Sequence, residues 1–296
     1  MTAAASSGRV KVEVEGRHLT LSSLDRVLWP ETGFTKAQMI DYYRAVAPAM
    51  LPHLRNRPVT LVRFPEGVDR DGWYQTNCRG HPPWMSVHEV RSRRGDLLRY
   101  CVVNDLPSVV WAANLGTIEF HPLLSTTAGM EESGFVIFDL DPGPPASVRE
   151  CARVALHLRD ELEKEGLTGF PKTSGAKGLH VHVPVGPPWA FDRAKGFARQ
   201  IAERLAAGDP EMTLSEQARD RRAGKVLVDW GQNDPNRSVI APYSLRAMRE
   251  PRVAGPLRWA EVESIAAGGE PPPLGPGDVL DRLARAGDAF ADMVKA

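Results

Sequence analysis

GFVIFDLDPG, residues 134–143, is a run of large apolar side chains that ends in two aspartates, a proline and a glycine. Its length and its stop at Pro142 read as a β-strand, because proline removes the N–H that would continue a ladder. Side chains alternate across a strand, so Asp139 and Asp141 leave one face together, roughly 7 Å apart along the backbone. Two carboxylates at the end of an apolar strand repel each other and lose hydration unless a cation sits between them. Hard oxygen donors suit Mg²⁺ or Mn²⁺. The same residues also suit a plain turn that ends a strand.

Outward from this stretch, a third carboxylate has the same context. Asp229 closes the apolar run KVLVD, residues 225–229. Three aspartates at strand ends could hold two metals; alone, Asp229 suits a strand-end cap. Between them lies FPKTSGAKGLHVHVPV, residues 170–185. It lacks the order of a Walker A loop but gathers Ser174, Lys177, Gly178 and His180 around a turn where backbone can approach a phosphate. His180 and His182 fall on one face of the alternating run 179–185, so one could touch a ligand and the other be buried; a satisfied core histidine is the alternative. Arg219, Arg221, Arg222 and Lys225 precede the third aspartate, and Arg237, Arg246 and Arg249 follow it. Such a rim fits a polyphosphate or nucleic acid, or simply a solvated face. Trp73 and Tyr74 offer a stacking platform or core.

The remaining chain mixes helices and strands. Thr35 with Gln38 is a capping box opening a helix through residue 51, with Met39, Ile40, Tyr43, Val46, Ala47 and Met50 at helical spacing. Residues 59–64, 86–91 and 97–103 read as strands, the last two as a hairpin with a basic tip. Residues 105–116 read as a short buried helix before the strand TIEF, residues 117–120. Helices are expected over about 147–165 and 192–207, and strands over 225–230 and 238–245. A Pro/Gly linker spans 268–277, before a C-terminal helix. The class is α/β (α+β mixed), helices flanking a mixed sheet. Of 296 residues, 42% are hydrophobic and 25% charged, with 37 basic and 37 acidic, which excludes a disordered or collagen-like chain and gives no global pull toward nucleic acid. No apolar run approaches the roughly 20 residues that span a bilayer, and residues 1–10 lack a signal-peptide core, so a cytoplasmic protein is expected. Cys78, Cys101 and Cys151 are odd in number without CxxC spacing, which argues against a disulfide framework or zinc ribbon and for cysteines that only pack.

Taken in order, FDLDPG, TSGAKGLHVHVP and KVLVDWGQNDPNRSVIAPYSLR resemble the three motifs of the polymerase domain of bacterial DNA ligase D, in the archaeo-eukaryotic primase superfamily. LSSLDRVLWPETGFTKAQMIDYY, RFPEGVD, PPWM and IEFHP extend the likeness over about 19–288. The resemblance implies a primase-polymerase core with a largely antiparallel sheet, and template-directed addition of nucleotides, preferentially ribonucleotides, to DNA 3′ ends in gap filling or end joining. It implies two ions, Mn²⁺ or Mg²⁺, on Asp139, Asp141 and Asp229. NTP or dNTP would meet His121, Ser174, Lys177, Gly178, His180, Gln232 and Arg246. Gapped or broken DNA with its 5′-phosphate would meet Arg26, Lys36, Trp73, Tyr74, Arg93, Arg94 and Arg222.

Arg26 and Lys36 stand where the family tends to have two lysines; arginine keeps the charge and adds a fork. Gln75 and Thr76 stand where the family often has a charged residue, which puts the template contacts there in question. The expected organisation is a disordered 1–9 and one catalytic domain over 10–296, with a 5′-phosphate part (about 10–130), a motif-bearing part (about 131–265) and a linker with the C-terminal helix (about 266–296). Ku and a separate ligase are the expected protein partners, in the bacterial cytoplasm at the nucleoid. A primase that starts chains unprimed and a non-catalytic end-binding scaffold are the alternatives; the full carboxylate set argues against the scaffold.

Overall fold

The structure is a computed structural model that describes residues 8–92, 94–217 and 219–295. In chain order its first part holds β1 (Arg9–Val14), β2 (Arg17–Ser22), β3 (Val27–Trp29), β4 (Phe34–Thr35), α1 (Lys36–Leu54), β5 (Pro58–Arg63), β6 (Trp73–Gln75), β7 (Ser86–Arg91), β8 (Leu97–Val102), α2 (Leu106–Asn114) and β9 (Thr117–Pro122). The rest holds β10 (Glu132–Pro142), α3 (Val148–Lys164), β11 (Phe170–Thr173), β12 (Leu179–Ala190), α4 (Phe191–Gly208), β13 (Thr213–Leu214), β14 (Val226–Asp229), β15 (Leu245–Ala247), β16 (Pro251–Val253), α5 (Trp259–Ala266) and α6 (Pro276–Ala286).

β10 is central in a five-stranded sheet of order β11-β12-β10-β14-β13, antiparallel except for β13 beside β14. Its two faces diverge by strict alternation. Val136, Phe138 and Leu140 join Leu179, Val181 and Val183 of β12 in a buried layer under α3 and α4. α3 meets them with Cys151, Ala155, Leu158 and Leu162, one helical stripe, and Ser147 caps it reciprocally with Glu150. The opposite face carries Phe135, Ile137, Asp139 and Asp141, beside His182 and His180. One-sided helical cover therefore leaves the polar ends of this strand for chemistry.

The first part has its own core. β5 pairs with β6, β8 and β9, and the β7–β8 hairpin completes the sheet. α1 buries Met39, Ile40, Tyr43, Val46 and Met50 against it, behind the expected Thr35–Gln38 capping box. Tyr42 Oη donates to Tyr243 O at 2.8 Å and Tyr43 Oη accepts from Leu245 N at 3.0 Å, which ties α1 to the segment carrying Arg246.

Several expectations are corrected. Arg9 already belongs to β1; residues 1–7 lie outside the described residues. Residues 238–244 do not form a strand, and only Leu245 enters one, β15: Val239 and Ala241 N–H each donate to β9, then Pro242 has no N–H and Tyr243 turns with φ of 67°. α5, packed on α3, was not foreseen. Cys78 and Cys101 form a disulfide, both buried, while Cys151 alone is free. The hairpin brings them together: Cys78 N donates to Arg99 O at 2.6 Å, so the β6–β7 connection lies along β8. Spacing in sequence does not carry that contact. Among the described residues no helix is long and apolar enough to cross a membrane.

Candidate active site

Antiparallel register sets Asp139 directly opposite Asp229 on β14 and opposite His180 on β12. The Gln232 side-chain amide donates to Asp139 Oδ2 at 3.4 Å and to Asp229 Oδ2 at 3.5 Å, a neutral donor lying between two carboxylates. Gln217 donates to the same Asp229 oxygen at 2.9 Å, and Gly231 N–H to Asp229 Oδ1 at 2.8 Å. His180 Nε2 stands 3.3 Å from Asp139 Oδ1. Burial pushes Asp139 up to about 6, against the charges of Lys172 and Arg246 and the Gln232 hydrogen bond. Asp141 is also raised to about 6, by burial and then by Asp139 and Asp229, with Arg222 opposing. Among the described residues no three His, Cys, Asp or Glu side chains are gathered around one ligating point. The donor chemistry nevertheless fits a divalent cation: three hard carboxylates stand at neighbouring strand ends, and the charges of Asp139 and Asp229 bear on Asp141.

The ends of the two aspartate strands are stitched by backbone. Gly143 N donates to Lys225 O at 2.8 Å and Gly224 N to Gly143 O at 3.0 Å. A Cβ on Gly143 would lie 1.9 Å from Arg222 O, so only glycine admits this approach. Beyond Asp229 the chain leaves the sheet, and fully buried Asn233 replaces the missing partner of Ile137. Its Oδ1 accepts from Ile137 N at 2.9 Å and its Nδ2 donates to Ile137 O at 2.7 Å.

The loop after β11 is organised by Ser174, whose Oγ accepts from Ala176 N and Gly178 N and whose own N donates to Gly178 O at 3.0 Å. Gly175 sits at φ of +72° where a Cβ would meet Arg246 Cγ at 2.4 Å, and a Cβ on Gly178 would lie 2.1 Å from Leu140 O. Lys177 projects exposed at the rim of a cavity of about 800 Å³ shared with Arg252 and Pro142. Burial drives His180 far below its ordinary value, aided by Lys172 and Arg246, so it is a neutral imidazole.

β9 adds a relay. Glu119 Oε2 lies 2.7 Å from His121 Nε2 and 3.1 Å from Arg246 Nη1, while Ala247 N donates to Glu119 Oε1 at 2.9 Å. Tyr74 meets His121 edge-on at 5.9 Å and is 68% exposed, and Arg63 lies 5.0 Å over the Trp73 ring. Tyr74 and His121 thus share one face of this sheet, while Trp73 and Arg63, one residue along their strands, share the other.

The LigD primase-polymerase domain family matches residues 35–290. The chain belongs to that family. The multifunctional non-homologous end joining DNA repair protein LigD of Mycobacterium tuberculosis is 37% identical over 281 residues, 92% of this chain and 36% of that protein. The bifunctional non-homologous end joining protein LigD of Bacillus subtilis is 30% identical over 279 residues, 94% of this chain and 44% of its own length. The chain therefore spans less than half the length of these curated relatives. A solved structure of the polymerase domain from Mycobacterium tuberculosis ligase D, in complex with DNA, matches with a TM-score of 0.87 at 36% identity, covering 94% of this chain and 98% of that one. The expected mixed α/β class with a largely antiparallel sheet is the fold observed.

In this LigD-family chain the other foreseen residues separate. Arg26 pairs with Glu66 and donates to Pro65 O at 2.8 Å; Lys36 Nζ donates to Ser22 O at 2.6 Å. Burial lowers Lys36 to about 8, helped by Arg26 and Arg63, so these three form one basic cluster. Arg222 is not among them: its charge acts on Asp141. Arg94 lies on the β7–β8 turn, exposed, and Arg93 falls outside the described residues. Sequence reasoning missed Glu119, Arg63, Asn233 and Lys172. Lys172 is fully buried, lowered to about 7 by burial and Arg246 with Asp139 opposing. Alternation along FPKT offered a signal for Lys172; nothing local distinguished Asn233.

Proposed function

We propose that this protein is a template-directed nucleotidyltransferase that adds nucleotides, preferentially ribonucleotides, to DNA 3′ ends during gap filling or non-homologous end joining. The observation that carries the reading is the cross-strand pair Asp139–Asp229, with Asp141 beside it and Arg246 fixed nearby through Glu119. Asp139, Asp141 and Asp229 would hold Mn²⁺ or Mg²⁺. Two such ions, when bound, supply acidification of the primer hydroxyl and neutralisation of departing pyrophosphate. Ser174 shapes the loop whose backbone and Lys177 receive the triphosphate, and Gly178 lets that loop lie against β10. Arg246 supplies fixed positive charge, while Glu119 prevents the guanidinium and His121 from drifting apart. His121, held at the sugar side with Tyr74, fits contact with a ribose hydroxyl. Trp73 and Tyr74 would stack on template bases, and Arg26, Lys36 and Arg63 would grip the downstream 5′-phosphate, with Arg94 near DNA ends.

Gapped or broken DNA and nucleoside triphosphates are the proposed substrates; Ku and a DNA ligase activity are the proposed partners, in the bacterial cytoplasm at the nucleoid. The test is extension of gapped DNA bearing a 5′-phosphate, with ribonucleotides and deoxyribonucleotides in Mn²⁺, for wild type and Asp139→Ala with Asp141→Ala. Metal-dependent ribonucleotide addition lost in the double variant supports the reading. DNA binding with no addition by the wild type would overturn it in favour of an end-binding scaffold.

A further inference from the structure

One residue pair further along the same sheet face lies a cavity of about 300 Å³, lined by Phe135 and His182 on the sheet and by His53, Arg57, Val239 and Met293 around it. Three features of its wall belong to no part of the nucleotide site. Arg57 is a sequestered cation with no carboxylate in ion-pair range among the described residues. Its Nη1 is bound to the carbonyls of Leu123, Leu124 and Ser125, and its guanidinium lies 4.5 Å over the Phe135 ring. His182, 1% exposed, has both ring nitrogens buried without a hydrogen-bond partner, and His53, 8% exposed, has an unpartnered Nε2.

Buried polar atoms are nearly always satisfied, by protein or by something bound. Burial keeps both imidazoles neutral, His53 being lowered to about 3 with Arg57 and Lys172 contributing. Each neutral ring offers one N–H and one lone pair. One guanidinium without a counter-ion and neutral donors beside it match a single negative charge. The remaining walls, Phe135, Val239, Met293 and prolines, match an apolar body.

We propose that this cavity binds a small organic acid, its carboxylate against Arg57 beside the His53 and His182 rings, its ring or short branched chain against Phe135, Val239 and Met293. The site does not depend on the nucleotidyltransferase reading, since none of these residues belongs to the catalytic set. A carboxylate would give the guanidinium the bidentate partner it lacks.

The experiment titrates the full chain with benzoate, and with benzamide as a neutral match of the same shape, by calorimetry and by NMR of the Met293 methyl and His182 ring. Expected are saturable benzoate binding that moves both signals, benzamide weaker by about tenfold or more, and loss of benzoate binding in Val239→Phe, which fills the cavity and leaves every polar group in place. Arg57→Gln should weaken benzoate by at least about tenfold. Should that variant fail to fold through loss of its carbonyl contacts, the benzoate–benzamide comparison and Val239→Phe decide the matter. Equal affinity for benzamide, undiminished benzoate binding in Val239→Phe, or absence of saturable benzoate binding to the wild type overturns the proposal.

Discussion

Asn233→Ala removes the side chain that stands in for a strand. β14 ends at Asp229, two residues short of a partner for Ile137, and Asn233 satisfies both backbone groups of Ile137 at 2.9 and 2.7 Å as well as Trp230 O at 3.0 Å. Ile137 and Asn233 are both fully buried, so water does not replace these bonds. Orphaning a buried N–H and a buried C=O costs about 1–3 kcal/mol each, which gives a loss of roughly 3–4 kcal/mol once some relaxation is allowed. Against a typical total of about 5–15 kcal/mol, that is a large fraction. Asn233→Asp keeps the acceptor, deletes the donor and sets a carboxylate against Ile137 O, so it should be no milder. Urea unfolding followed by circular dichroism measures both, with m expected unchanged. Because Gln232 and Asp229 lie on the same turn, extension activity should fall with stability. A midpoint for Asn233→Ala that corresponds to less than about 1 kcal/mol of loss would refute the strand-substitute account.

Other outcomes follow from the same geometry. In EDTA above about pH 6, Asp141→Asn should be more stable than the wild type by about 1–2 kcal/mol, after discounting for its partial exposure, whereas in Mn²⁺ it should lose extension; the reason is that Asp141, raised to about 6, destabilises the metal-free fold as pH rises from 3.8 through about 6. His53, lowered to about 3, has the opposite sign: the unfolded chain binds its proton first, so stability is full above pH 6.5 and declines as pH falls toward 3. Between pH 7.5 and 5 this amounts to about 2 kcal/mol, which denaturation of His53→Leu beside the wild type should show as a flatter dependence. Gly178→Ala, with its Cβ 2.1 Å from Leu140 O, should destabilise by about 1–3 kcal/mol and raise the nucleotide KM; an unchanged KM would mean the loop does not receive the triphosphate. Glu119→Gln should raise KM for ribonucleotides more than for deoxyribonucleotides by freeing His121, measurable by parallel steady-state extension.

The strand at 134–143 was readable because its apolar run and its stop at Pro142 are local facts, and period-two alternation then fixed which face bears Asp139 and Asp141. The α1 cap at Thr35 and the hairpin at residues 86–102 were legible for the same reason. Residues 238–245 misled because β-branched and aromatic residues there are apolar for burial against β9, and Pro242 followed by positive-φ Tyr243 outweighs strand propensity. The Cys78–Cys101 bond depends on how the β6–β7 connection returns along β8, a tertiary fact. Glu119 and Lys172 were hidden because a charged residue inside an apolar strand looks like an outward-facing one until the cation or carboxylate opposite it is known.

Gly143 donates its N–H to Lys225 O and accepts at its own carbonyl from Gly224 N across the ends of two strands, and nothing with a side chain fits between Gly143 and Arg222. The separation of Asp141 from Asp229 is therefore set by the main chain and would be inherited by any sequence that adopts this backbone. An engineer wishing to change the ion preferred there has little to gain from moving strands. The available lever is the chemistry of the donors, carboxylate for amide or imidazole, on a frame whose dimensions are already decided.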